Sequence, residues 1–218
     1  MSGSETTSKN TIRAPLLGHD GIDRVLNRLA HEIHDGAVTD EKGPLAIQPD
    51  SLAIIGIRTG GAHLAKRLSE KLAGIRGEAP PLGILDITLY RDDVLVGSSN
   101  PLPILRGTDI PFSIDGRNII LVDDVLFTGR TVRAAMGALS DLGRPGCIRL
   151  AVLADRGLRE LPIAADYIGR QTPSSPDQRI EVELKEEGAS EDAIVLVTSK
   201  NRRVDDQSSR AKNEVDHG

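Results

Sequence analysis

A single cysteine, no tryptophan and only four aromatic residues in 218 positions set the first bounds on this chain. One cysteine, Cys147, excludes an internal disulfide framework and a cysteine-rich metal site. With no adjacent base suggested, it reads as a small core residue rather than a nucleophile. The aromatics are Tyr90, Phe112, Phe127 and Tyr167, too few for a platform that stacks single-stranded nucleic acid. No apolar run approaches the roughly 18 residues of a membrane span, and no signal-like apolar segment opens the chain. A soluble cytoplasmic protein without membrane contact is the expectation. Charge of either sign is not in bulk excess: 27 Lys and Arg stand against 32 Asp and Glu, a net charge of −5. Nucleic-acid binding would therefore need a local basic patch. Also missing are a GxxxxGK[ST] loop, the GxGxxG fingerprint, an HExxH motif, a Ser–His–Asp set and a glycosidase-like acid pair.

What is present centres on positions 119–131. The branched apolar run Ile119-Ile120-Leu121-Val122 reads as a buried parallel strand. Asp123 and Asp124 follow where that strand is expected to leave the sheet. After Val125, Leu126 and Phe127 comes the turn Thr128-Gly129-Arg130-Thr131, and 132–142 reads as a helix with apolar positions at 132, 135, 136 and 139. Strand, loop and helix N-terminus form the place where open α/β proteins bind ligands. Gly129 lets successive amides point inward, two threonines add hydroxyls, and the first helical turn leaves N–H groups free for an anion. Two carboxylates beside such a nest suit the vicinal hydroxyls of a sugar, with a hard cation such as Mg²⁺ nearby. Phosphate beside diol points to a ribose 5-phosphate. The plainer reading is a capped strand–helix turn with solvated acids.

The block LVDDVLFTGRT resembles the phosphoribosyl-pyrophosphate (PRPP) motif of type I phosphoribosyltransferases. Together with GIRTGG, LDITLYRDD and ADRGLRELPIAADYIG it resembles the PyrR family, bifunctional regulators of pyrimidine biosynthesis with uracil phosphoribosyltransferase activity. The similarity runs from about residue 20 to about residue 175, with several blocks in matching order and spacing. It implies an α/β type I phosphoribosyltransferase fold: a mostly parallel central sheet flanked by helices, with a mobile flap and a small hood. It implies transfer of the phosphoribosyl group of Mg²⁺-PRPP to uracil, giving UMP, and UMP-sensitive binding to the leader RNA of a pyrimidine operon. Relatives form dimers and sometimes tetramers, so a homodimer or tetramer is implied as well. An RNA-binding attenuator with little or no enzyme activity, or a transferase for another base, are the alternatives.

Along the chain, 1–10 reads as a disordered lead, 11–199 as one domain, and 200–218 as a mixed-charge disordered tail. From Asp20 a helix is expected, with an apolar stripe at Ile22, Val25, Leu26, Leu29, Ala30 and Ile33. Its other face carries Arg24, Asn27, Arg28 and His31, a solvated face by pattern and part of the RNA surface by resemblance. Asn27 stands where relatives often have threonine. A polar loop over 35–50 precedes a core strand at 52–57 and a helix from 62 to about 72. Between them Arg58-Thr59-Gly60-Gly61 resembles the pyrophosphate loop, with Gly60 where many relatives have arginine. A strand is expected over 82–89 and a Gly/Ser/Pro-rich flap over 91–113, with Arg91 implied on the pyrophosphate side. Further strands are expected at 147–154, 164–168, 179–184 and 193–198, the last two as edges. By resemblance Asp123, Asp124 and Arg91 are catalytic, and 121–131 with 58–61 hold PRPP. Asp155, Arg156, Leu161 and Ile163 border the uracil, and most relatives have histidine at Leu158. The general base is open between the departing pyrophosphate and water.

Overall fold

The computed structural model describes residues 10–39, 51–88, 90 and 107–200. Its frame is a five-stranded parallel sheet of β2 (Leu52–Ile57), β3 (Leu82–Leu85), β4 (Asn118–Leu126), β5 (Cys147–Asp155) and β6 (Tyr167–Gln171), in the order β3-β2-β4-β5-β6. The inner strands are near-continuous apolar runs because both faces of a parallel sheet are covered. Alternation along each strand divides them between two cores. Ile54, Ile120, Val122 and Leu153 face α1 (His19–Thr39) and α2 (Gly60–Arg76), meeting Ile22, Leu26, Leu29, Leu64 and Leu68. Ile55, Leu121 and Val152 face α3 (Arg130–Leu142), meeting Val132, Ala135 and Leu139. The strand order turns back between β2 and β4, so the carboxyl ends of these two strands flank the crevice where ligands enter such sheets.

A second, antiparallel sheet has the order β1-β8-β7, built from β1 (Asn10–Gly18), β7 (Gln178–Glu183) and β8 (Ala193–Lys200). Ile180, Leu184 and Ile194 bring this hood onto the α1/α2 core. A salt-bridged knot fastens it. Asp192, 1% exposed, accepts from Arg67 Nη1 at 2.6 Å and Nη2 at 3.0 Å, from the Lys185 amide at 2.9 Å, and lies 3.0 Å from His19 Nδ1. Arg67 also grips Glu186, with Nε at 2.8 Å from Oε1 and Nη2 at 2.5 Å from Oε2. The guanidinium holds the Asp192 carboxyl far below the usual carboxylate range, against its burial.

Several expectations are corrected. No strand was read before residue 20, yet β1 pairs with β8 from Asn10↔Lys200 to Gly18↔Ala193. Asn10 and Lys200 thus belong to a sheet rather than to the lead and the tail, and β8 is the middle strand of its sheet rather than an edge. The helix α1 runs on to Thr39, through the start of the expected loop. β3 stops at Leu85, and β6 starts at Tyr167 rather than 164. β4 does not end at the acids but carries them to Leu126, because Asp123 and Val125 keep register with Val152 and Ala154 of β5. On α3 Met136 is 43% exposed, outside the buried stripe. Cys147 is half-buried at the start of β5, its thiol 3.2 Å from Asn118 Oδ1 and pushed up by burial. Most of the expected flap, the remainder of the 35–50 loop, the lead and the tail lie outside the described residues. Among the described residues no helix is long and apolar enough to cross a membrane.

Candidate active site

Two turns leave the carboxyl ends of β2 and β4 side by side. The first, Arg58-Thr59-Gly60-Gly61, enters α2, and its Arg58–Thr59 peptide is cis. Glycine is required at 61: a Cβ there would lie 2.4 Å from the Val122 carbonyl oxygen. That close approach sets the positive end of α2 against the acid-bearing strand. At Gly60 a Cβ would lie 2.7 Å from Asp124 Oδ2. The missing side chain is therefore what lets the Asp124 carboxylate lean over the turn. Thr59, Gly60, His63, Asp124, Glu186 and Glu187 line a pocket of about 510 Å³ at this point. Arg58 is exposed at the rim. Burial raises the neighbouring Asp86, but the Thr88 hydroxyl and amide and the charge of Arg58 together hold it below its usual value. Arg91 lies outside the described residues.

The two acids differ. Asp123 is 6% exposed and accepts from the Asp124 amide at 3.0 Å, whereas the half-buried Asp124 accepts from the Val125 amide at 2.7 Å. Burial, and then the charge of Asp124, push the Asp123 carboxyl well above the ordinary carboxylate range. One acid is thus buried within the strand and the other half-exposed beside it, an arrangement suited to two adjacent hydroxyls. The side chains of Leu121 and Leu126 pack into the α3 core and Val122 into the opposite one, so these positions offer the site only backbone.

The turn after β4 has the form of an anion cradle. Gly129 precedes α3 with φ +91°, a left-handed conformation that a side chain would strain, and as the N-cap residue it brings no side chain of its own to the helix end. The first-turn amides of α3 then face the turn. Thr128 Oγ1 is 3.4 Å from the Arg130 amide, and Arg130 pairs with Glu160 at 2.7 Å. Leu161 and Ile163 stand directly across Gly129, 3.4 and 3.3 Å from where its Cβ would be. The Thr128 carbonyl accepts the amides of Glu160 and Leu161, both at 3.1 Å, which docks the 156–163 loop onto the cradle. Asp155, Arg156, Leu161 and Ile163 are thereby brought beside 123–131. Arg156 is 6% exposed, bonded to Ser174 Oγ (2.9 Å) and the Gln178 carbonyl (2.7 Å), and its guanidinium lies 3.9 Å from the centroid of the Phe127 ring. Burial lowers its proton affinity. Leu158 is exposed with φ +56°. Sequence reading missed His63 and Glu186 as site residues, neither of which lies in a motif; Arg159 stands inside the ADRGLRELPIAADYIG block, whose resemblance placed it only in a run beside the base.

The polar face of α1 is exposed at Arg24, Asn27, Arg28 and His31. Arg28 is engaged with Glu32 and with the carbonyls of Ile168 (3.0 Å) and Gly169 (2.7 Å). Asn27 is held between Asp23 and Lys71. No described residue bonds the side chains of Arg24 or His31.

Residues 16–187 match the model of the phosphoribosyl transferase domain family. A protein of Pelotomaculum thermopropionicum named bifunctional protein PyrR is 47% identical over 187 residues, covering 86% of this chain and 97% of the relative. One of the same name from Bacillus cereus is 51% identical over 174 residues, 80% of this chain and 92% of the relative. Among solved structures, the hypoxanthine phosphoribosyltransferase of Trypanosoma cruzi superposes with a TM-score of 0.63 at 18% identity, over 85% of this chain and 97% of that one, which shows a shared fold.

Proposed function

Since the chain belongs to the PyrR family of phosphoribosyltransferases, we propose that it transfers the phosphoribosyl group of PRPP to uracil and regulates pyrimidine genes by UMP-sensitive binding to leader RNA. The observation that carries the enzymatic half is the unequal acid pair beside the cradle, with the 156–163 loop docked across it. In the reaction the bond from C1 of the ribose to pyrophosphate breaks, its electron pair leaving with the pyrophosphate. A bond forms from C1 to N1 of uracil, whose proton passes to the departing pyrophosphate or to water. Asp123 and Asp124 hold the two ribose hydroxyls, and the negative charge of the pair favours the positive charge that develops on the ribose. The turn from Val125 through Leu126, Phe127, Thr128, Gly129 and Arg130 to Thr131 cradles the 5-phosphate, with the amides and hydroxyls of its second half as donors. Thr59, Gly60 and Gly61 with Arg58 and Arg91 receive the pyrophosphate, here through backbone amides at 60 where relatives have a side-chain cation.

Among the described residues no three His, Cys, Asp or Glu converge as a metal site. A Mg²⁺ held mainly by PRPP itself, with Asp124 alongside, would supply charge neutralisation on the pyrophosphate. A single domain carries both activities, and phosphorylated substrates that do not cross membranes suit a cytoplasmic setting. Purified protein mixed with uracil, Mg²⁺ and PRPP is expected to release pyrophosphate. No release above that of an Asp123→Asn/Asp124→Asn double variant would sink the enzymatic reading.

For RNA, a net charge of −5 leaves one copy's patch thin. A homodimer or tetramer that sets two copies of α1 into one concavity supplies the missing charge. Arg24 and His31 are its available donors, whereas Arg28 acts as a strut between α1 and β6. Filter retention of the operon leader is expected to fall with salt and to respond to UMP. Arg24→Ala is expected to reduce the salt slope by about 1 per site. Retention indifferent to both salt and UMP would remove the regulatory reading.

A further inference from the structure

We propose that Arg159 is a positioning residue that fixes the distance between the phosphate cradle and the base-reading loop, and so sets the length of nucleotide the site accepts. This rests on the uracil reading above and deepens it. The guanidinium is committed on every side. Its Nε donates to the Ile163 carbonyl at 3.0 Å. Nη1 is shared among the carbonyls of Phe127 (2.8 Å), Gly157 (3.1 Å) and Leu126 (3.4 Å), and Nη2 meets Asp155 Oδ2 at 2.6 Å. Those acceptors belong to three places: the end of β4 and Phe127 just beyond it, the end of β5 with Gly157 just beyond it, and Ile163 further along the irregular loop. A rigid planar fork with five donors can serve such a set at once; a lysine ammonium, with three donors on a flexible stem, cannot.

The geometry says which half of the substrate depends on it. The cradle is built into β4 and α3 and is held by their own backbone bonds. The 156–166 segment has no regular structure, being anchored by β5 and β6 at its ends and by the Thr128 carbonyl in its middle. Removing Arg159 frees the Leu126 and Phe127 carbonyls at the entry to the cradle, where Leu126 stays paired with Asp155 in the β4–β5 ladder, and frees the Gly157 and Ile163 carbonyls on the base side, which no ladder holds. Leu161 and Ile163, which stand across Gly129, would then lose their fixed distance from the phosphate.

The test compares wild type with Arg159→Gln and Arg159→Lys, well below the melting temperature of each. A misplacement of about 1 Å can cost about 100-fold, so kcat/KM for uracil is expected to fall by roughly that factor in Arg159→Gln, with the KM for PRPP within about threefold of wild type. Arg159→Lys is expected to recover about a tenth of the loss or less. Equal losses for uracil and PRPP, or none, would overturn the assignment. Calorimetric binding of UMP and of ribose 5-phosphate supplies a readout independent of turnover. Wild type should prefer UMP, and Arg159→Gln should retain ribose 5-phosphate while losing that preference. If wild type forms no UMP yet shows this pattern, the enzymatic reading fails and the positioning role stands. If wild type forms UMP and Arg159→Gln keeps the preference, the positioning role fails alone.

Discussion

Replacing Asp123 by asparagine is expected to slow UMP formation by about 100- to 1000-fold, the scale of removing one preorganised group from a transition state, and at the same time to raise the melting temperature at neutral pH. The second effect follows from burial. Asp123 lies at 6% exposure inside β4, where the sheet and the adjacent carboxylate of Asp124 disfavour its charge. Its proton affinity in the folded chain exceeds that in the unfolded chain. Between pH 3.8 and the raised folded value, the folded state keeps a proton that the unfolded state releases. The favourable contribution of this group is therefore complete below pH 3.8 and is lost as pH rises through the folded value. Asparagine keeps the oxygen that accepts the Asp124 amide and carries no charge at any pH. Thermal melts from pH 4 to 8 should show wild type declining relative to Asp123→Asn as pH rises. A variant that is less stable at pH 7 would contradict the account of the pair.

The largest loss of stability is expected at the hood. Arg67→Met leaves Asp192, 1% exposed, without the guanidinium that contributes two of its hydrogen bonds. Uncovering a buried charge in this way costs about 3–5 kcal/mol. Chemical denaturation at pH 7 measures it directly, with a change below about 1 kcal/mol refuting it. The pH dependence has the opposite sign to that of Asp123. With its folded value depressed, Asp192 contributes stability in full above pH 3.8 and loses it as pH falls toward the folded value. Wild type should therefore lose its advantage over Arg67→Met in strong acid. Exposed pairs such as Arg13–Glu181 should show little of this, being screened by water.

The central sheet was legible because its inner strands are apolar on both faces, which no solvated segment imitates. β2 is bounded by sequence to the residue, and the Gly129 turn stands at the entry to α3, where its residue types placed it. β1 was not legible: Thr11, Arg13 and Pro15 break the apolar pattern, and the strand exists through its partner β8, nearly 200 positions away in the chain. The acids were expected beyond the end of β4 because charge usually marks the edge of a core; here the ladder with β5 runs on past both of them to Leu126. The base loop was located by resemblance and not by pattern. Its organiser, Arg159, is one arginine among many in sequence, and only its five acceptors distinguish it. The α1 face was rightly read as exposed, but exposure in a sequence does not reveal that Arg28 is already bonded to β6.

The ladder between β1 and β8 also has a mechanical meaning. Because Asn10 pairs with Lys200 and the strands run antiparallel, a force applied through those two residues opens the pair from one end. Bonds perpendicular to the strands are then loaded one after another rather than all together. The hood would unzip at low force, and the parallel sheet that carries the acids and the cradle would bear load only after β1 had peeled away.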